Sequence, residues 1–147
     1  MSDRFSKIKD VGIDKLNLLS KHYLFDHLSM KFSAIGEGWV EMIMPVTEKV
    51  LQPMKILHGG VNFLVCETIA SILSYAMLEN DDEFIVGTEL SGSHIRSCRT
   101  GDVVTAQAIL IQAGNQLHRW RFELRQQEGK PTFAGQMTTM VQRRSQK

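Results

Sequence analysis

The chain shows two hydrophobic periods, and the first is helical. In residues 13–25 the apolar side chains recur every three or four positions, which is typical of an amphipathic helix. Residues 59–78 are apolar or small at nearly every position and contain a single charged side chain. This composition predicts a long helix that is buried on nearly all sides. Polar residues at 80–82 end the helical period. We therefore expect a short leading helix and one long central helix.

The second period is the two-residue alternation of β-strands. It is clear in residues 39–46, where alternate side chains are apolar, and the preceding Gly36–Gly38 segment predicts a hairpin. Four further extended runs follow the long helix, at 84–90, 103–112, 117–125 and 132–142. The turns between the last runs are too short for parallel crossovers. The pattern predicts the α+β class, with an antiparallel sheet and the long helix on one face.

Composition narrows the setting of this fold. With 147 residues, 43% of them hydrophobic and 22% charged, we expect one soluble domain over 1–147, with a polar tail at 143–147. The net charge of +1 disfavours nucleic acid and anionic membranes as partners. Polar residues inside 59–78 and the lack of basic flanks argue against a membrane span. Two cysteines and a start without a signal-like segment predict a reducing, cytoplasmic location.

Glu67 is the charged residue inside the long apolar run. Burying a carboxylate without a partner is costly or raises its pKa, so this position indicates a functional role. The alternative is a structural glutamate paired with backbone or an arginine. Ser71 lies one helical turn further on the same face, where its hydroxyl could hold the carboxylate or a water molecule. Simple packing of a small residue is the alternative for Ser71.

The tripeptide His58–Gly60 marks the start of the long helix. Its glycines leave the first backbone N–H groups unobstructed, and the positive end of the helix dipole stabilises a carbonyl oxygen or an oxyanion. A flexible turn with His58 bonded to local backbone is the alternative. Gly59 and Glu67 are eight residues apart, or about 12 Å along a helix axis, so they cannot both touch one carbonyl. A composite site needs a second chain, with the two helices antiparallel across a two-fold axis.

Five segments of the chain resemble the hotdog-fold acyl-CoA thioesterases. They are HLSMKFSAIGEGWVEMIMPV, Gln52–Pro53, LHGGVNFLVCETIAS, VGTELSGSHIRS and TGDVVTAQ, spread over residues 27–142. The arrangement is most similar to the bacterial 1,4-dihydroxy-2-naphthoyl-CoA hydrolases and the 4-hydroxybenzoyl-CoA and phenylacetyl-CoA thioesterases. In these families the catalytic carboxylate follows the HGG histidine by nine positions, as Glu67 follows His58. The resemblance implies the hotdog fold, an antiparallel sheet wrapped around one long helix.

The resemblance also implies roles for the residues that react with the thioester. Gln52 would lie near the thioester. The backbone N–H of Gly59, the first glycine of the HGG motif, would polarise the thioester carbonyl. Glu67 would act as nucleophile or general base, a choice that the sequence leaves open. Ser71 stands where relatives have Ser or Thr beside that carboxylate, and His58 completes the catalytic set.

A second group of residues would hold the coenzyme A part of the substrate. His94 and Arg96 fall where relatives place groups around pantetheine and nucleotide, and Gly60 lies beside them at the helix start. Arg96 and Arg99 also suit phosphates, because guanidinium groups make charge-assisted, sometimes bidentate contacts. The alternatives are a solvated Gln52 side chain, an ordinary polar edge for His94 and Arg96, and a charge-balancing role for Arg99.

These observations together predict an enzyme that hydrolyses the thioester of an aromatic or other hydrophobic acyl-CoA. The acyl group stays open, with 1,4-dihydroxy-2-naphthoyl as one candidate, and a homodimer or homotetramer with interfacial sites is expected. Coenzyme A is substrate, no cofactor is expected, and the five histidines show no metal-ligand spacing. Cys66 projects about 100° away from Glu67 around the helix and is expected in the core. The alternatives are a non-catalytic acyl-CoA sensor and a hotdog hydratase or dehydratase, which release no free thiol.

Overall fold

The computed structural model describes residues 4–144. It contains three α-helices, a short 3₁₀ turn at Glu48–Val50 and six strands. The helices are α1 (Arg4–Leu19), α2 (Leu24–His27) and α3 (Gly59–Ala76). The strands are β1 (Lys31–Ile35), β2 (Trp39–Pro45), β3 (Glu83–His94), β4 (Val103–Ala113), β5 (Leu117–Gln126) and β6 (Pro131–Arg143). The predicted hairpin, the long helix and the four later strands are all present.

The strands form one six-stranded sheet in the order β1-β2-β4-β5-β6-β3, and each neighbouring pair is antiparallel. Helix α3 packs on one face of this sheet. Strand β5 shows why: Trp120, Phe122 and Leu124 are fully buried, while the alternate residues are exposed. The alternation of buried and exposed residues thus gives the sheet an apolar face, against which the helix packs. The predicted α+β architecture is confirmed.

Helix α3 is long and apolar enough to cross a bilayer by length and composition alone. In the chain, however, its buried face, which includes Cys66 and Ile69, packs in the core against the sheet. The opposite face is open, because Glu67 is exposed and Tyr75 is 55% exposed. The prediction of a helix buried on nearly all sides is therefore wrong for a single chain, since one sheet covers only one face.

The first helix differs from the predicted 13–25. Helix α1 begins at Arg4 and ends at Leu19, with non-helical dihedral angles at Gly12. It begins earlier because Phe5 and Ile8 are already buried in the core. After α1 the chain passes through His22 at a positive φ of 75° and re-enters a helix only at α2. At the other end β6 continues to Arg143, and residues 145–147 of the predicted polar tail lie outside the described residues.

Strand β3 forms one edge of the sheet. It is twelve residues long and pairs with β6 along one side. Its other side has no strand partner among residues 4–144. Val86 on this strand is 37% exposed. A long, unpaired edge is a template for pairing with another chain.

Candidate active site

The N-terminus of α3 presents an unused hydrogen-bond donor. His58 is the N-cap, with an extended backbone (φ −63°, ψ 124°), and its Nδ1 accepts the Gly60 N–H at 3.0 Å. His58 thus makes the local bond considered as its structural alternative, and this bond occupies the Gly60 amide. The Gly59 N–H donates to no group within residues 4–144. A free amide at the positive end of an 18-residue helix is suited to a carbonyl oxygen or oxyanion.

A cavity of about 350 Å³ lies over this N-terminus. Its lining includes four of the predicted residues and one that was not predicted, namely Gln52, Gly59, His94, Arg96 and Asn62. Gln52 is half-buried, and its Oε1 accepts the Met54 N–H at 2.9 Å. The sequence predictions for Gln52, Gly59, His94 and Arg96 thus converge on one place in the fold.

The two arginines differ in position. Arg96 is exposed at the cavity, and its main-chain N–H donates to the Thr132 carbonyl at 3.1 Å. Arg99 is exposed but lies outside the cavity lining, with its main-chain N–H donating to Asp102 Oδ2 at 2.7 Å. The chain therefore brings Arg96, but not Arg99, to the helix N-terminus.

Asn62 was not among the residues given a catalytic or binding role from the sequence. Its side chain is 5% exposed, and its Nδ2 lies 3.3 Å from His94 Nδ1. Its buried Oδ1 has no hydrogen-bond partner within residues 4–144. The available signal was a polar amide one turn into an otherwise apolar helix.

Glu67 lies on the open face of α3 beside strand β3. A Cβ atom added to Gly87 would lie 3.6 Å from Glu67 Oε1, so the carboxylate sits over this glycine. Glu67 is exposed, because it lies at the edge strand β3, beyond which no other strand of residues 4–144 continues the sheet. The inference that Glu67 is buried is therefore wrong within one chain. Gly87, which lies beneath the carboxylate, was not predicted as part of the site.

Ser71 lines a second cavity, of about 460 Å³, one turn beyond Glu67. The rest of its lining is largely apolar and comes from α1, α3 and β3, namely Leu19, Ile72, Tyr75, Phe84 and Ile85. Ser71 is half-buried. An apolar cavity beside a carboxylate and a hydroxyl can hold the acyl part of an ester or thioester.

Neither cysteine is placed as a nucleophile. Cys66 and Cys98 are free and at most 1% exposed, and burial raises the pKa of both thiols. Since the thiolate is the reactive form, both are inert, and the predicted core position of Cys66 is confirmed. Within residues 4–144, no three His, Cys, Asp or Glu side chains are grouped as metal ligands.

Comparison with known proteins identifies the family. The sequence profile of the thioesterase superfamily matches residues 54–132, so the chain belongs to this superfamily. An esterase-like protein of Pasteurella multocida, named "Putative esterase PM0788", is 34% identical over 90% of this chain and 94% of its own length. A crystal structure of a thioesterase from Haemophilus influenzae has a TM-score of 0.82 at 34% identity, covering 89% of this chain and 90% of that one.

A third relative has a stated substrate. The 1,4-dihydroxy-2-naphthoyl-CoA hydrolase of Escherichia coli is 27% identical over 90% of this chain and 96% of its own length. The superfamily and these likenesses confirm both the predicted hotdog fold and the prediction of a thioester hydrolase.

Proposed function

We propose that the protein hydrolyses the thioester of a hydrophobic acyl-CoA at a site shared by two copies of the chain. The observation that carries this proposal is the arrangement of α3: an unused Gly59 N–H at its N-terminus, and an exposed Glu67 carboxylate beside the unpaired strand β3. Gly59 and Glu67 are eight residues apart, or about 12 Å along the helix, so one chain cannot bring both to one carbonyl.

Strand β3 runs along α3 in the opposite direction. The His94 end of β3 meets Gly59, and Gly87 meets Glu67 further along the helix. If two β3 edges pair antiparallel about a two-fold axis, the His94 end of one strand comes beside the Glu83 end of the other. This pairing moves the partner subunit's Gly59 towards Glu67 and produces two equivalent composite sites. A homodimer, or a homotetramer built from such dimers, satisfies the geometry.

The chemistry follows from the two groups. The Gly59 amide donates a hydrogen bond to the thioester carbonyl oxygen, where negative charge accumulates as the carbon is attacked. Glu67 either attacks that carbon or removes a proton from a water molecule that attacks it. If Glu67 attacks, the C–S bond breaks to leave an acyl anhydride on Glu67, which water then hydrolyses to the free acid and the Glu67 carboxylate. If water attacks, its oxygen joins the acyl carbon and the C–S bond breaks. In both routes the departing thiolate takes up a proton, and the products are the free acid and the coenzyme A thiol. Ser71 holds the carboxylate or the water, and Gln52 contacts the thioester from its loop.

The substrate class follows from the two cavities. The acyl group occupies the apolar cavity beside Ser71, whose wall includes Ile72 and Tyr75. Aromatic acyl groups are favoured, with 1,4-dihydroxy-2-naphthoyl as a candidate supported by the E. coli relative. Coenzyme A enters over the helix N-terminus, with Arg96 and, from a nearby loop, Arg99 meeting its phosphates. We propose a cytoplasmic enzyme without a bound cofactor, consistent with two free, buried cysteines.

Release of free coenzyme A thiol tests the proposal. The substrates are naphthoyl, benzoyl, phenylacetyl, hexanoyl and palmitoyl esters, assayed with wild type, Glu67→Gln and the control Glu123→Gln. Glu123 is an exposed carboxylate on β5, beside the buried Leu124 that points to α3. We expect Glu67→Gln to lose activity by about 10²-fold or more, with the control unchanged. Wild-type turnover by Glu67→Gln contradicts the mechanism, and ester binding without thiol release indicates a sensor.

Subunit complementation tests whether the site is shared. Gly59→Pro removes the amide donor with a backbone suited to the first residue of a helix, because the preceding residue is extended. A Cβ atom at this position would lie 2.9 Å from His94 Cε1, so the substitution also displaces the His94 ring of the same chain. Gly59→Pro and Glu67→Gln chains carrying different tags are co-expressed, and the doubly tagged heterodimer is purified. A composite site leaves one of two sites intact, so the heterodimer should have about half of wild-type activity. An inactive heterodimer would place both groups in one chain.

A further inference from the structure

The imidazole of His94 is held on several sides although the residue is exposed. A Cβ atom added to Gly59 would lie 2.9 Å from its Cε1 and 3.0 Å from its Nε2, so this edge of the ring lies against the start of α3. The ring centroid is 5.6 Å from that of Phe63 and 5.4 Å from that of Phe133. Phe63 and Phe133 also pack edge to face with each other at 5.0 Å. These contacts fix the position of the ring beside the free Gly59 amide.

Asn62 determines which ring nitrogen carries the proton. Its Nδ2 lies 3.3 Å from His94 Nδ1, and an amide nitrogen can only donate. With the amide nitrogen of Asn62 facing the ring, Nδ1 of the neutral ring accepts, and the proton resides on Nε2. Nε2 makes no hydrogen bond within residues 4–144. The Nε2–H of His94 is thus a hydrogen-bond donor without an acceptor among the described residues, and His94 lines the same cavity as Gly59.

Asn62 is not explained by stability. Its side chain is 5% exposed, and its Oδ1 is buried without a partner among the described residues. An unsatisfied buried acceptor destabilises the folded state. The contact that this side chain does make is the one with His94, so its effect is on the orientation and tautomer of that ring.

We propose that Asn62 positions His94 so that its Nε2–H donates a second hydrogen bond, beside the Gly59 N–H, to the thioester oxygen. This inference rests on the proposed function and deepens it. The proton stays on Nε2 throughout, and His94 forms no covalent bond. His94 is then a catalytic residue, and Asn62 is a positioning residue that acts through it. Two donors fixed before the reaction stabilise the developing charge without reorganisation.

Two substitutions of His94 separate a donor from a packing role. The amide nitrogen of glutamine reaches the place of Nε2, whereas the shorter asparagine side chain reaches only the place of Nδ1. We expect His94→Asn to lower kcat by about 10²-fold with little change in KM. His94→Gln should retain most of the activity. Equal losses in both variants, or wild-type kcat in His94→Asn, would overturn the proposal.

Asn62→Leu tests the positioning role. The leucine is close in size and removes the unsatisfied acceptor, so Tm should stay the same or rise, while kcat falls on the order of tenfold through a misplaced ring. A fall in Tm with unchanged kcat would show a structural role instead. Two-bond ¹H–¹⁵N spectra of the neutral His94 ring should show protonated Nε2 in wild type and a tautomer mixture in Asn62→Leu. Protonated Nδ1 in wild type would overturn the proposal without any activity measurement.

The same assay series separates this inference from the proposed function. If wild type releases no thiol, the proposed function fails. If wild type is active and Glu67→Gln is not, but His94→Asn is as active as wild type, only the present inference fails.

Discussion

Ser74 joins the central helix to the sheet through two buried hydrogen bonds. Its Oγ accepts the Trp120 Nε1–H at 2.9 Å and lies 2.8 Å from the Thr139 hydroxyl. All three side chains are fully buried, and they belong to α3, β5 and β6. Replacing Ser74 by alanine removes the Oγ atom that both hydrogen bonds share. The Trp120 N–H and the Thr139 hydroxyl then stay in the core without this hydrogen-bond partner.

The size of the effect follows from these contacts. Each buried polar group that loses its partner costs about 1–3 kcal/mol, so two such groups cost on the order of 2–6 kcal/mol. Alanine is the better helix former and returns about 0.5 kcal/mol. We therefore expect Ser74→Ala to lower the free energy of unfolding by about 1.5–5.5 kcal/mol, or Tm by roughly 3–22 °C for a chain of this length.

Urea unfolding and thermal melts at one protein concentration measure this loss, with Ser71→Ala as the matched control. Ser71 lies one turn earlier in α3 and is half-buried, so its substitution should change stability by about 0.5 kcal/mol or less. A double-mutant cycle with Thr139→Val should give a coupling energy of about 0.5 kcal/mol or more. A loss of unfolding free energy below about 1 kcal/mol in Ser74→Ala would refute the reasoning, because the two buried hydrogen bonds would then make no net contribution to stability.

Two further predictions concern pH and specificity. Burial, followed by the positive charge of Arg4, lowers the pKa of the fully buried His118. The unfolded chain, with an ordinary pKa of about 6.5, therefore binds the proton first, and stability falls as pH drops below that value until the folded pKa is passed. Urea midpoints between about pH 8 and pH 5 should show this slope in wild type and a weaker one in His118→Leu, and an unchanged slope would contradict it. Ile72→Trp fills part of the cavity beside Ser71, so kcat/KM should fall by about tenfold or more for naphthoyl ester and less for hexanoyl ester. An equal loss for both esters would place the acyl group elsewhere.

The elements of this fold could be read locally because the periodicity of each one is local. The alternation in β5 predicted which side chains enter the core, and Trp120, Phe122 and Leu124 do so. The first helix was predicted poorly for the same reason. Its kink at Gly12 and the burial of Phe5 depend on where the chain docks, which the local period does not record.

The candidate site was only partly readable. The nine-residue spacing from His58 to Glu67 is visible in the sequence itself. It identified the two parts of the proposed site, the start of the long helix and the Glu67 carboxylate. Asn62 and Gly87 were missed because their roles arise from contacts with residues 32 and 20 positions away, His94 and Glu67.

The sequence by itself determined the element types and the antiparallel α+β class, because these depend on neighbours within a few residues. Only the tertiary structure decided that one face of α3 stays open, that β3 runs beside it as an unpaired edge, and that Glu67 is exposed there. The reason is that one sheet has a single inner face and covers a single side of a helix. Which side it covers is set by the register of strands distant in sequence, and that register leaves the carboxylate on the side where a second chain can dock.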